Sequence, residues 1–175
     1  MKRFVLAAVV SIVALPALAA DKPSQDLAAT IGAKEGAKWT DTTTAAAATG
    51  DQQKHLKKGK PATVVGEVID VSCYAQLGKR GEKHIACGTK CLQNGNPAGI
   101  LDDKGNVYTL FVEQHDPRRD GLVDLKATFI PLLAKRVQVS GMLVEEKSVK
   151  ALYVDQAALT PSTAPTTPAA AAPAR

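Results

Sequence analysis

Lys135-Arg136-Val137-Gln138-Val139-Ser140-Gly141-Met142-Leu143-Val144-Glu145 begins with a strict alternation. Val137, Val139 and Gly141 fall on one side, Gln138 and Ser140 on the other. A period of two is that of a β-strand with one face against a core. Outward from it, Glu146-Lys147-Ser148 supplies a turn and Ala151-Leu152-Tyr153-Val154-Asp155 a last strand. Upstream, residues 98–102 and 107–112 flank Asp103-Lys104-Gly105-Asn106, a hairpin with turn chemistry in its loop. Earlier still, residues 63–71 read as a first strand, with Gly66 marking a bend or bulge. Residues 121–134, carrying Leu122, Leu125, Phe129, Leu132 and Leu133, read as partly helical and interrupted at Pro131.

The order is strand, cysteine-bearing helix, strand, strand, short helix, strand, strand. Without the cysteine segment this is the order of a small five-stranded OB-like barrel. The expected fold class is therefore mainly β. One helix is inserted after the first strand and a short one lies between the third and fourth. Lys135 to Gly141, followed by a hairpin, resembles the fourth and fifth strands of bacterial exported OB-like domains. The run from Gly66 through Asp70 to Cys73-Tyr74, then His84-x-x-Cys87-x-x-x-Cys91, then Gly95-x-Pro97-x-Gly99, is similar to a group of uncharacterised secreted bacterial proteins. The resemblance spans the whole folded unit and implies the fold. It implies no activity, because one fold hosts many.

Residues 1–20 read as a cleaved signal peptide. Lys2 and Arg3 precede an apolar run too short to span a bilayer, and Ala17-Leu18-Ala19 is a small-x-small cleavage site. The mature chain is then expected in the periplasm or secreted, where disulfides persist, with no integral membrane segment. Residues 21–60 contain a Thr/Ala run and few large apolar side chains apart from Trp39, and are expected to be disordered. Residues 61–159 form the expected domain, and 160–175 a disordered Pro/Ala/Thr tail. The net charge of +5 comes from the flanks: residues 61–159 hold twelve Lys/Arg against twelve Asp/Glu. A neutral domain lacks the basic footprint of a nucleic-acid binder.

The chemistry concentrates in Cys73, His84, Cys87 and Cys91, which include every cysteine of the chain. A helix over residues 82–93 sets His84, Cys87 and Cys91 within a sector of about 60°, at i, i+3, i+7 spacing. That face is expected to point at the barrel, with Cys73 reaching it from the end of the first strand. Gly88 lies there too and would allow a close backbone approach. Three thiols and an imidazole make a tetrahedral set for zinc, and soft sulfurs suit copper(I). Asp70 and Tyr74, flanking Cys73, are candidate hydrogen-bond partners of the ligands.

Two alternatives stand beside the metal. In one, Cys73 pairs with Cys87 or Cys91 in a structural disulfide; the loop from Cys73 to Cys87, about fifteen residues, is worth roughly 3 kcal/mol. The protein would then be a stapled adaptor for a periplasmic partner. In the other, the thiols cycle in thiol–disulfide exchange, although Cys87 and Cys91 lack Cys-x-x-Cys spacing. No other catalytic motif is present. His115, Lys79-Arg80 and Arg118-Arg119 read as solvated loop residues, and Tyr108, Phe111 and Tyr153 as strand residues rather than a base-stacking platform.

Overall fold

The computed structural model describes residues 26–32, 36–113 and 125–159. Strands β2 (Lys60–Asp70), β3 (Ala98–Asp102), β4 (Val107–Glu113), β5 (Arg136–Glu146) and β6 (Val149–Asp155) close into a barrel. Around it the order is β2-β3-β4-β6-β5 and back to β2. β4 and β6 run parallel, and every other barrel pair is antiparallel. With helix α5 (Leu125–Phe129) between the third and fourth barrel strands, this is the expected OB-like arrangement.

β2 pairs with β5 through Lys60–Glu67 and with β3 through Gly66–Asp70, so it changes partner at Gly66. A Cβ there would lie 2.2 Å from the carbonyl oxygen of Leu101. Only glycine admits that approach, where the pairing of β2 passes from β5 to β3. Val68, Ile100, Leu110, Val137, Val139, Leu152 and Val154 fill the interior. Phe129, Leu132 and Leu133 join the same core from α5 and the 3-10 turn Ile130–Leu132 that follows it.

The first strand departs from its expected end. It stops at Asp70, and helix α3 (Val71–Leu77) begins at once. The Asp70 side chain caps α3 by accepting from the amides of Ser72 and Cys73. Gly78, in the left-handed region at φ 65°, ends it. Cys73 therefore sits in the first turn of a helix, not at a strand end. A 3-10 turn, Glu82–His84, then leads into α4 (Ile85–Gln93). The insertion is thus two helices rather than one.

The stretch expected to be unstructured, residues 21–60, also departs. Its described part holds β1 (Ala29–Ile31), α1 (Asp41–Ala46) and α2 (Gly50–Leu56). β1 pairs parallel with Val137–Val139 of β5, along the half of β5 that β6 leaves unpaired. Ala29 and Ile31 enter the core there. Thr40 caps α1, Thr49 and Gln52 form a capping box on α2, and the Trp39 indole donates to Leu56 O at 2.9 Å. Trp39 also meets the Tyr153 ring edge-on at 5.5 Å. The expected signal peptide, the C-terminal tail, His115 and Arg118-Arg119 lie outside the described residues. No helix among the described residues is long and apolar enough to cross a membrane.

Candidate metal centre

β2, α3, the 3-10 turn and α4 meet at one end of the barrel, and each contributes side chains to a single cluster. The framework is tied in several places. The Val71 amide donates to Pro97 O and the Asn96 amide to Cys91 O, binding the start of α3 to the exit of α4. The Gly81 amide donates to the Glu67 carboxylate at 2.7 Å, which holds the intervening loop against β2. α4 is anchored by Leu92, fully buried in the barrel core.

Running from the 3-10 turn Glu82–His84 into α4, the buried stripe is His84, Gly88 and Leu92, at i, i+4, i+8. The cysteines lie on its flank rather than at its centre. Cys91 is half-buried and Cys87 is exposed, so Cys87 does not face the barrel as expected. The reason is rotational: the helix turns its small residue toward Leu133. A Cβ at Gly88 would lie 3.4 Å from that leucine and 3.5 Å from the His84 ring, ordinary contact distances. The close approach that the glycine would permit is therefore not used.

Cys73, His84 and Cys87 have donor atoms all within 4.8 Å of one another, and so do Asp70, Cys73 and Cys91. Cys73 belongs to both sets and joins them. The four residues singled out from the sequence are thus brought together, and Asp70 joins them directly. Tyr74 does not: among the described residues no hydrogen bond links its hydroxyl to the cluster. The Cys73 and Cys91 sulfurs are 3.8 Å apart, and all three cysteines are thiols.

Asp70 was expected beside the cluster, not in it. It is fully buried at the end of β2. One carboxylate oxygen caps α3; the other, Oδ2, faces His84 Nε2 at 3.9 Å. Neither Oδ2 nor Nε2 has a hydrogen-bond partner. Leaving a buried polar atom unpaired costs about 1–3 kcal/mol, and more when it is charged. Two such atoms aimed at each other beside three thiols form a pre-set donor group. A cavity of about 10 Å³ touches both residues, together with Arg80, Leu133 and Ala134.

The electrostatics follow from the buried carboxylate. Burial works against the Asp70 charge, but the nearby Cys73 and Cys91 thiols and the Cys73 and Ser72 amides outweigh it and hold the carboxyl below its ordinary value. The same carboxylate, with burial adding to it, raises the Cys73 thiol. Asp70 first, and Cys73 second, push the Cys91 thiol up to about 12. These thiols keep their protons at neutral pH unless a cation displaces them. That is poor chemistry for a thiolate nucleophile and suitable chemistry for a cation site.

The sequence carries one signal for the place of Asp70. An aspartate followed by Val-Ser-Cys is also a helix cap, and a cap places its carboxylate over the first turn. No protein-family profile, curated protein or solved structure matches this chain.

Proposed function

We propose that this protein is an exported binding module that holds one transition-metal ion, copper(I) or zinc(II), in the cluster of Cys73, His84, Cys87 and Cys91, with Asp70 as a further donor. The observation that carries the reading is the pair of buried, unpartnered atoms, Asp70 Oδ2 and His84 Nε2, set among three thiols. Donor chemistry supports it, since thiolates and an imidazole suit both ions. Spacing supports it as well. Two thiolates bound tetrahedrally at about 2.3 Å stand roughly 3.8 Å apart, and Cys73 and Cys91 are separated by 3.8 Å. The roles follow from position. Cys73 bridges the two halves of the donor set, Cys91 and Cys87 supply sulfur from adjacent turns of α4, and His84 supplies nitrogen from the buried side. Asp70 contributes the fixed negative charge that makes a cation favourable there.

The test is metal analysis of protein purified without chelator under anaerobic conditions, followed by competition against chelators of known affinity. The expected result is one copper or zinc per chain, with all three cysteines reduced. A chain that neither carries nor takes up either ion, in reduced form, would sink the proposal. N-terminal sequencing of the mature protein tests export, with cleavage expected after Ala19 or Ala20.

The contact between Cys73 and Cys91 also favours a second reading, a disulfide-stapled adaptor with Cys87 left free. A disulfide needs its sulfurs about 2 Å apart, which a small shift of α3 toward α4 would give. Thiol titration separates the two: three titratable thiols after metal removal for the site, one for the staple.

A further inference from the structure

We propose that the ion held by the cluster passes to and from an acidic protein that docks on the helical insert, and that Cys87 is the thiol through which it passes. The inference rests on the metal-binding reading and names the partner class of that same site.

Access to the donors is graded. Asp70 is fully buried and His84 is 8% exposed. Cys73 and Cys91 are half-buried, and Cys87 is exposed. An incoming ligand meets the Cys87 sulfur first. Along the 3-10 turn Glu82–His84 and α4, Cys87 divides two kinds of side chain. His84 and Cys91, three before and four after it, lie toward the buried donors. Lys83 and Lys90, four before and three after it, are exposed on its other flank.

The charge of the insert is not that of the domain. Residues 71–96 carry Lys79, Arg80, Lys83 and Lys90 against a single acid, Glu82, although residues 61–159 balance overall. Arg80 is engaged at 4.0 Å by Glu67. Lys79, Lys83 and Lys90 are exposed, and among the described residues no acid pairs with them. Two apolar side chains stand out of the same insert, Leu77 at 63% exposure and Ile85 at 39%. An excess of exposed lysines on the flank of Cys87 suits a docking partner that carries the opposite sign. Nucleic acids and anionic membranes also attract lysines, but they bring no soft donor to an ion held at Cys87.

The exchange step balances without electron transfer. A thiol of the partner loses its proton as its sulfur bonds the ion. The bond from the ion to Cys87 breaks, and Cys87 takes up a proton. The ion keeps its oxidation state throughout.

The experiment follows transfer to the metal-free, reduced full chain from two synthetic Cys-x-x-Cys peptides loaded with copper(I), one flanked by glutamates and one by lysines. A parallel series uses zinc(II). The acidic donor is expected to transfer at least about tenfold faster at low salt, with the difference closing as salt screens it. Lys83→Glu with Lys90→Glu should abolish that preference and leave the equilibrium affinity unchanged. Cys87→Ser should slow transfer by a larger factor than it weakens equilibrium binding. Equal rates from both donors, or a Cys87→Ser protein that transfers at the unsubstituted rate, would overturn the inference. So would an insert that prefers anionic vesicles, added in competition, to the acidic peptide. If the chain takes no ion at equilibrium, the metal-binding reading itself fails. If it takes the ion but is indifferent to donor charge, only the docking inference fails.

Discussion

Asp70 does two jobs. Oδ1 holds the first turn of α3, and the charge of the carboxylate as a whole raises the thiols. The substitution that separates these jobs is Asp70→Asn, because asparagine caps a helix as well as aspartate does but carries no charge. In the metal-free protein Cys73 and Cys91 should then titrate lower, and alkylation at pH 8 should speed up severalfold. Rates equal to those of the unsubstituted protein would show that the carboxylate does not hold the thiols protonated. Metal affinity should fall in the same variant. A pH dependence follows with a definite sign. The raised thiols are protonated through the neutral range, so binding must displace their protons. Apparent affinity should therefore rise with pH, by up to about tenfold per unit for each proton released. A competition titration between pH 6 and 8 that shows no slope would mean that these thiols are not ligands. The effect of Asp70 on folding runs the same way. Its carboxyl lies below the ordinary value in the folded state. It thus contributes stability above the unfolded carboxyl range, and that contribution is lost as pH falls through its own lowered value.

Among the elements, α4 and β1 show what a sequence can and cannot announce. The spacing of His84, Cys87 and Cys91 was legible, since a 3.6-residue period puts them on neighbouring turns whatever surrounds the helix. Which part of that arc faces inward was not, because the packing of Gly88 against Leu133 decides it. Since a Cβ fits at Gly88, Gly88→Ala should be tolerated and should raise stability by up to about 1 kcal/mol through helix propensity. A marked loss in thermal unfolding would contradict the packing described. Leu92 is the opposite case. Leu92→Ala removes the anchor of α4 and should cost about 2–5 kcal/mol in denaturant unfolding, and it should loosen the cluster. α3 is not announced by its residues, since Val71 and Tyr74 suit a strand; the cap from Asp70 outweighs that preference. β1 was not legible at all. Ala-Thr-Ile is too short to show a period, and its partner is an edge of β5 that exists only once the barrel has closed. The capping box of Thr49 and Gln52 was readable, but nothing near it promised a surface to pack on.

For the whole molecule, the alternation at residues 137–141, the hairpin at 98–112 and Gly66 carried the barrel order, because each is a local pattern with a fixed geometric consequence. Asp70's place among the donors was not local. It required β2, α3 and α4 to be assembled before a carboxylate and an imidazole could face each other. The N-terminal segment matters at the same scale. Ile31 is fully buried, so Ile31→Ala should cost about 2–5 kcal/mol. A change near zero in chemical unfolding would show that β1 does not belong to the core.

β1 has a kinetic consequence as well. Ala29 stands opposite Val137 and Ile31 opposite Val139, so one of the earliest parts of the chain to be synthesised completes its pairing with one of the latest. Contacts so distant in sequence are slow to form, because the loop between them must be closed first. A nascent chain cannot finish the seam beside β5 until Val139 has emerged. Such a chain keeps the seam beside β5 open until late in folding.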